Sequence, residues 1–233
     1  MQTIPIIELS LVFIPTAFLL VIIFSWGLKG FVGLYANARM VLQLFLVGYL
    51  LTYIFNIEKP IIIVLVIILM VSVSAWIAIR SLEEKNLINY FIVYISIAFP
   101  GLIILGLVTQ LVLKMQTWYE PNFVVPIAGM IFANSMNTVS LAAERFEAEF
   151  KKEKNFIKAR QIAFDASLIT PINSLFAVGL VSLPGMMTGQ ILSGVDPIVA
   201  VRYQIMVMWM TFGSGGLASA LYLTLRFRDI KNK

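Results

Sequence analysis

Thioether, amide and hydroxyl side chains recur inside the long apolar stretches of this chain, where polar groups need bonding partners or a function. Residues 182–192 interrupt one apolar stretch with Pro184 and Gly185. The side chains that follow the break are Met186, Met187 and Gln190. Irregular backbone at membrane depth is tolerated only where protein or a water-filled cavity satisfies its N–H and C=O groups. We therefore expect a broken helix here, with Pro184 and Gly185 as its hinge and the following side chains lining a passage.

Further polar side chains lie in the same apolar stretch and in two others. Asn134, Asn137 and Thr138 occupy positions i, i+3 and i+4, which are neighbours on a helix. Interhelical hydrogen bonding is one interpretation of such a stripe, and lining a solute path is the other. The remaining candidates for the path are Asn173, Arg202 and Gln204. The methionines that follow Gln204 are interpreted first as flexible packing side chains, and thioether coordination of a metal is the second interpretation.

The composition limits the chemistry of these side chains, because the chain has no cysteine and no histidine. Thiolate nucleophiles, disulfides and the commonest general base are therefore excluded. No acid/base pair, nucleophile or cofactor motif occurs at a useful spacing, so we expect neither an enzyme nor a bound cofactor. A metal ion could meet only oxygen ligands and methionine sulfur, and the sequence leaves the identity of a metal site open.

The chain is an integral membrane protein by composition. Of its 233 residues 60% are hydrophobic and only 12% are charged, about half the charge of an ordinary soluble domain. Runs of roughly 18 or more apolar residues predict transmembrane helices. We expect an all-α, polytopic fold forming one transmembrane permease domain over residues 1–233. The predicted spans are 9–28, 40–56, 60–79, 91–113, 124–143, 166–187 and 197–225.

The distribution of charge predicts the orientation of these spans. Fourteen of the 17 Lys and Arg residues fall in alternate connecting segments, six of them in segment 144–165. Cytoplasmic segments are enriched in Lys and Arg, so the N-terminus is expected outside and the C-terminus inside. Membrane insertion accounts for these clusters, with attraction to the anionic lipid bilayer as a supplement, and no nucleic-acid partner is needed.

Several runs carry a resemblance to a known family. They are residues 38–44, residues 129–131 with Asn134, Met136 and Asn137, residues 181–189, residues 194–197 and residues 201–208. Together they resemble the FetB-type permeases of the UPF0014 family, the membrane subunits of iron-export ABC transporters of the inner membrane. Plant aluminium-tolerance permeases are similar.

The resemblance implies a homodimer of permeases that is powered by ATP through a separate cytoplasmic ATPase subunit. The sequence agrees, since it has no G-x-x-x-x-G-K-[ST] phosphate loop. Candidates for contact with that ATPase are Lys154, Phe156, Ile157 and Arg160. The Leu-Gly-Ala-Thr-like run that resembles a coupling helix in family members is missing here. Export of iron is the leading hypothesis; export of a small organic or sugar-nucleotide-like solute and an uncoupled channel or assembly subunit are the alternatives.

Overall fold

A computed structural model describes residues 5–55 and 59–231, and nearly all of them are helical. No strand forms in these ranges, where Val178 and Ser182 make one isolated bridge. The helices are α1 Ile6–Leu11, α2 Phe13–Ser25, α3 Gly30–Ile54, α4 Pro60–Ala78, α5 Leu87–Gly106, α6 Pro121–Glu153, α7 Phe156–Ala177, α8 Gly185–Leu192 and α9 Pro197–Lys231. A short 3₁₀ turn, Ile79–Ser81, follows α4, and a π-helical segment, Leu107–Val112, follows α5. The all-α, polytopic class expected from the sequence is confirmed.

Six of the described helical segments are long and apolar enough to cross a membrane: Glu8–Ser25, Gly30–Ile54, Pro60–Ser81, Leu87–Val112, Pro121–Glu153 and Pro197–Phe227. Their bounds correct the predicted ones in two places. The second span begins ten residues earlier than predicted, because residues 30–39 extend α3 instead of forming a loop. The fourth begins at Leu87, where the side chain of Asn86 caps the helix by accepting from Asn89 N–H at 2.8 Å.

The predicted sixth span, 166–187, is wrong as one continuous helix. α7 begins ten residues earlier and ends at Ala177, and α8 starts only at Gly185. α7 is not among the six apolar segments, since its first half carries Lys158, Arg160 and Asp165. With eight residues, α8 rises only about 12 Å at 1.5 Å per residue, far less than the roughly 30 Å hydrocarbon core.

The described residues belong to two compact units, Met1–Ile57 and Glu58–Lys233. The first unit is a helical hairpin in which α2 packs against α3. Gln43 lies one turn beyond Arg39 on α3, and with its amide turned so that the oxygen faces the guanidinium, that oxygen accepts from Arg39 Nε at 3.1 Å and Nη2 at 3.2 Å. The two residues are four positions apart and therefore share one face of α3. A single transmembrane domain over residues 1–233 stays a prediction.

The second unit is built around α6 and α9, which contact each other and α5 and α7 along their length. Close approach depends on small residues. A Cβ on Gly101 of α5 would lie 2.7 Å from Cε1 of Phe132, a fully buried side chain of α6. Between α6 and α9, Thr138 Oγ1 donates to the carbonyl of Gly215 at 2.9 Å. Small residues and polar bridges of this kind are what hold helices together in a membrane.

The charged end of the second unit is where α6 ends and α7 begins. Within the predicted cytoplasmic segment 144–165, α6 continues to Glu153, and Lys154 takes a left-handed φ of 50°. α7 then returns along α6. Arg226 of α9 is buried there, where its Nη1 donates to Asn89 Oδ1 at 2.6 Å and its Nη2 lies 3.8 Å from Glu147 Oε1. The sidedness of this end stays a prediction.

Candidate functional site

The break between α7 and α8 is built by one glycine and one proline. Gly179 has a φ of +83°, a conformation that costs other residues a steric penalty, and its N–H donates to Ser182 O at 3.0 Å. Pro184, with φ of −62°, is the N-cap residue of α8, and Gly185 is the first residue of that helix. The interruption thus covers residues 178–184 and starts six residues before Pro184. That Pro184 and Gly185 act as a hinge stays a prediction.

A second turn returns the chain from α8 into α9. Asp196 Oδ1 accepts from Ile198 N–H at 2.8 Å and from Val199 N–H at 3.3 Å, and Pro197 is the first residue of α9. This N-cap gives Asp196 a structural role. The two turns place α8 against the first half of α9.

One side of α8 faces a cavity of about 550 Å³, named here the first cavity. Met186 and Gln190, which are one turn apart on α8, meet Met130 of α6 and Met206 of α9 there. The other lining side chains are Leu113, Asn122, Phe123, Pro126, Ile127, Val195 and Tyr203. Three thioethers thus line an uncharged space whose polar side chains are Gln190, Asn122 and Tyr203.

α8 also borders a second cavity, of about 400 Å³. Met187 of α8 lines it together with Gln204, Met208 and Trp209 of α9. The remaining lining side chains come from the end of α7, the turn after it, and the start of α9. α8 therefore borders two cavities of similar chemistry, each with thioethers and one glutamine.

Both glutamines carry an amide oxygen that no donor satisfies. Gln190 Oε1 and Gln204 Oε1 are buried and have no hydrogen-bond partner in the described part of the chain, and Gln204 as a whole is only 5% exposed. A buried, unpaired acceptor costs about 1–3 kcal/mol of stability. Buried polar groups are otherwise almost always paired, so the two unpaired acceptors make these cavities the candidate site.

The structure does not gather all of the predicted path residues in these cavities. Met186, Gln190, Met187 and Gln204 line them, as described above. Asn134 is half-buried on α6, whereas Asn137, Asn173 and Arg202 are exposed in this single chain, and none of the four lines either cavity. Thr138 is buried in its bond to Gly215, which supports the interpretation of this residue as an interhelical bridge. A solute path along Asn134, Asn137, Asn173 and Arg202 stays a prediction.

The candidates for contact with an ATPase differ in their surroundings. The ring of Phe156 lies 4.4 Å from that of Phe227 and 5.1 Å from that of Phe146, between centroids, so it packs within the protein. Ile157 is 61% exposed. Lys154 and Arg160 are exposed as well, on the same end of the molecule.

Three lining residues were missed by sequence reasoning: Met130, Tyr203 and Asn122. Met130 adjoins Gly129, but its thioether could be assigned to a cavity only once α6, α8 and α9 were known to line the same space. Met206 was interpreted as a packing residue. Within the described ranges, no group of three or more His, Cys, Asp or Glu side chains is placed to hold a metal ion.

The chain resembles known membrane proteins over most of its length. Residues 6–230 match the sequence profile described as "Uncharacterised protein family (UPF0014)". The "Probable iron export permease protein FetB" of Escherichia coli (strain K12) is 33% identical over 85% of this chain and 81% of FetB. "UPF0014 membrane protein YjkA" of Bacillus subtilis (strain 168) is 31% identical, over 96% of this chain and 94% of YjkA.

A plant relative extends the comparison. The "Protein ALUMINUM SENSITIVE 3" of Arabidopsis thaliana is 31% identical over 80% of this chain and 72% of its own length. No solved structure matches the chain. The family profile covers all of the long apolar helices described above, and among the relatives YjkA is named a membrane protein and FetB a permease. The chain is therefore a multi-pass membrane protein that belongs to the UPF0014 family.

Proposed function

We propose that this protein is the membrane-spanning permease subunit of an exporter, and that the solute passes beside α8. The observation that carries the proposal is the pair of cavities that α8 borders, each lined by a glutamine whose buried oxygen lacks a donor. A broken helix that borders cavities is the usual place for a substrate site in a transporter. Flexible thioethers and weak neutral ligands suit a solute that must also leave.

A metal cation is the first candidate for the solute. The name of FetB, an iron export permease, supports iron, and this chain is similar to FetB over most of its length. The exporter would lie in the plasma (inner) membrane as a homodimer, with its C-terminus cytoplasmic. Energy would come from ATP hydrolysed by a separate ATPase subunit that contacts the charged end near Ile157.

A small organic solute is the second candidate, and the volume of the first cavity favours it. Cavities of 300–1,000 Å³ that are mostly apolar, with a few polar groups, are typical sites for small organic molecules. The first cavity has about 550 Å³ and one buried, unpaired acceptor. An uncoupled channel or a subunit of another assembly is the third possibility, since the Leu-Gly-Ala-Thr-like run is missing.

The test begins with affinity purification of the tagged protein from its native membrane. A stoichiometric ATPase subunit in the eluate, and ATP-dependent solute uptake by inside-out vesicles that contain the complex, are the expected results. Reproducible purification of an intact protein without any ATPase would overturn the exporter proposal in favour of the uncoupled role. Uptake of an organic solute, with no uptake of Fe²⁺, would select the second candidate.

A further inference from the structure

The first cavity has an unusual set of donor atoms for a membrane protein. Met130, Met186 and Met206 come from three different helices and line one space with Gln190. Its other lining side chains are all uncharged. The whole chain has eleven methionines and neither cysteine nor histidine, so methionine sulfur is its only soft side-chain ligand.

Donor atoms of this kind select among cations. Thioether sulfur prefers soft ions such as Cu⁺, whereas hard cations prefer several oxygen ligands, with carboxylates among them. The cost of moving an ion from water into a medium of low dielectric constant rises with the square of its charge. A cavity with no carboxylate cannot offset that cost for a divalent or trivalent ion as well as it can for a monovalent one.

From these donors we infer that the first cavity is a thioether site for a soft monovalent cation of the Cu⁺ and Ag⁺ class. The sulfur atoms of Met130, Met186 and Met206 are its ligands, and Gln190 Oε1, the buried acceptor without a donor, supplies an oxygen ligand. The inference rests on the proposed function for its role in export, where it makes a soft monovalent cation the substrate in place of iron, but binding itself needs no ATPase.

The cavity must contract around such an ion, because its volume of about 550 Å³ exceeds that of a single cation. Methionine suits this contraction, since it has three rotatable side-chain bonds and tolerates repacking. α8 itself can also move toward the bound ion. It is only eight residues long, and Gly179 before it and Gly194 after it both have a positive φ, +83° and +88°, with no heavy atom within 4 Å of an added Cβ.

The test is Ag⁺ binding to the purified full-length protein in detergent, measured by calorimetry with silver nitrate in chloride-free buffer. The triple variant Met130→Leu, Met186→Leu, Met206→Leu removes the three sulfurs with little change in volume. The matched control is Met70→Leu, Met136→Leu, Met210→Leu, which removes three sulfurs that line neither cavity. Unchanged thermal unfolding of each variant establishes that it folds. If the triple variant does not fold, the single variant Met186→Leu replaces it in the binding measurement.

Wild type and the control triple are expected to bind Ag⁺, and the Met130/Met186/Met206 variant should bind it at least about tenfold more weakly. Silver-edge X-ray absorption should show sulfur neighbours, which in this chain are methionines. Anaerobic Fe²⁺ should bind wild type at least about tenfold more weakly than Ag⁺ does. Equal loss in both triple variants, or no loss in either, would overturn the inference, as would Fe²⁺ that binds more tightly than Ag⁺.

The same measurements separate this inference from the exporter proposal. Ag⁺ binding in a protein that never purifies with an ATPase would leave the thioether site intact and remove the proposed function. ATP-dependent export by a protein that does not bind Ag⁺ would leave the proposed function intact and remove the thioether site.

Discussion

At the residue scale, a single close contact explains why a polar stripe in α6 is partly structural. Thr138 Oγ1 donates to Gly215 O at 2.9 Å, and a Cβ on Gly215 would lie 2.9 Å from Thr138 Cγ2. The next residue, Gly216, has more room, because the nearest atom to its added Cβ is Leu168 Cδ2 at 3.6 Å. Sequence reasoning left both interpretations of the stripe open, since spacing alone shows which residues share a face but not what lies opposite.

The variant Gly215→Ala tests this contact. The added methyl group must displace Thr138, a β-branched and buried side chain, so we expect a loss of about 1–3 kcal/mol in the free energy of unfolding. Gly216→Ala is the control on the same helix and should leave stability unchanged or slightly higher. Thermal unfolding in detergent measures both, and equal unfolding temperatures for the two variants would contradict the described packing.

At the element scale, the short helix α8 and the turn before it organise the candidate site. The sequence predicted a break near Pro184 and Gly185, and a break is present, but it ends at Pro184, which is the N-cap residue of α8. It did not predict that the break begins at Val178, since the left-handed conformation of Gly179 arises from the turn that Ser182 closes. The sequence allowed the charged first half of α7 to be recognised as a separate segment. It did not show that this half and the polar residues after it form one helix.

The variant Gly179→Ala tests the role of the turn. Its φ of +83° is unfavourable for alanine, so we expect about 1 kcal/mol of destabilisation and weaker binding in both cavities. Gly189→Ala within α8 is the control, because its added Cβ meets no atom within 4 Å and alanine favours helix. A Gly179→Ala protein with the stability of wild type would show that this turn does not require the left-handed conformation of glycine.

The start of α7 provides a second comparison at this scale, between neighbours in sequence. Phe156→Ala should lower the free energy of unfolding by about 1–2 kcal/mol, since the ring packs against Phe227. Ile157→Glu should leave stability unchanged, because Ile157 is 61% exposed, and should abolish purification with an ATPase. Thermal unfolding and pull-down yield report the two effects. Full recovery of the ATPase with the Ile157→Glu protein would remove this residue from the proposed contact.

At the scale of the whole molecule, the account rests on two cavities that share α8 as a wall. The sequence predicted an all-α membrane protein, its family and four of the side chains in these cavities, because apolar length and polar interruption are local properties. Met130 and Tyr203 join the site only through the packing of α6, α8 and α9, and the exposed positions of Asn137 and Asn173 likewise follow from that packing.

The central claim is that the solute meets the two orphaned glutamine oxygens, and the double variant Gln190→Leu, Gln204→Leu tests it most directly. The measurement is ATP-dependent uptake of Fe²⁺ and of Ag⁺ by inside-out vesicles, with Gln110→Leu, an exposed position outside both cavities, as control. Because each oxygen is buried without a donor, its removal should leave the unfolding temperature unchanged or raise it, while uptake falls at least about tenfold. Uptake at the wild-type rate by the folded double variant would contradict the account.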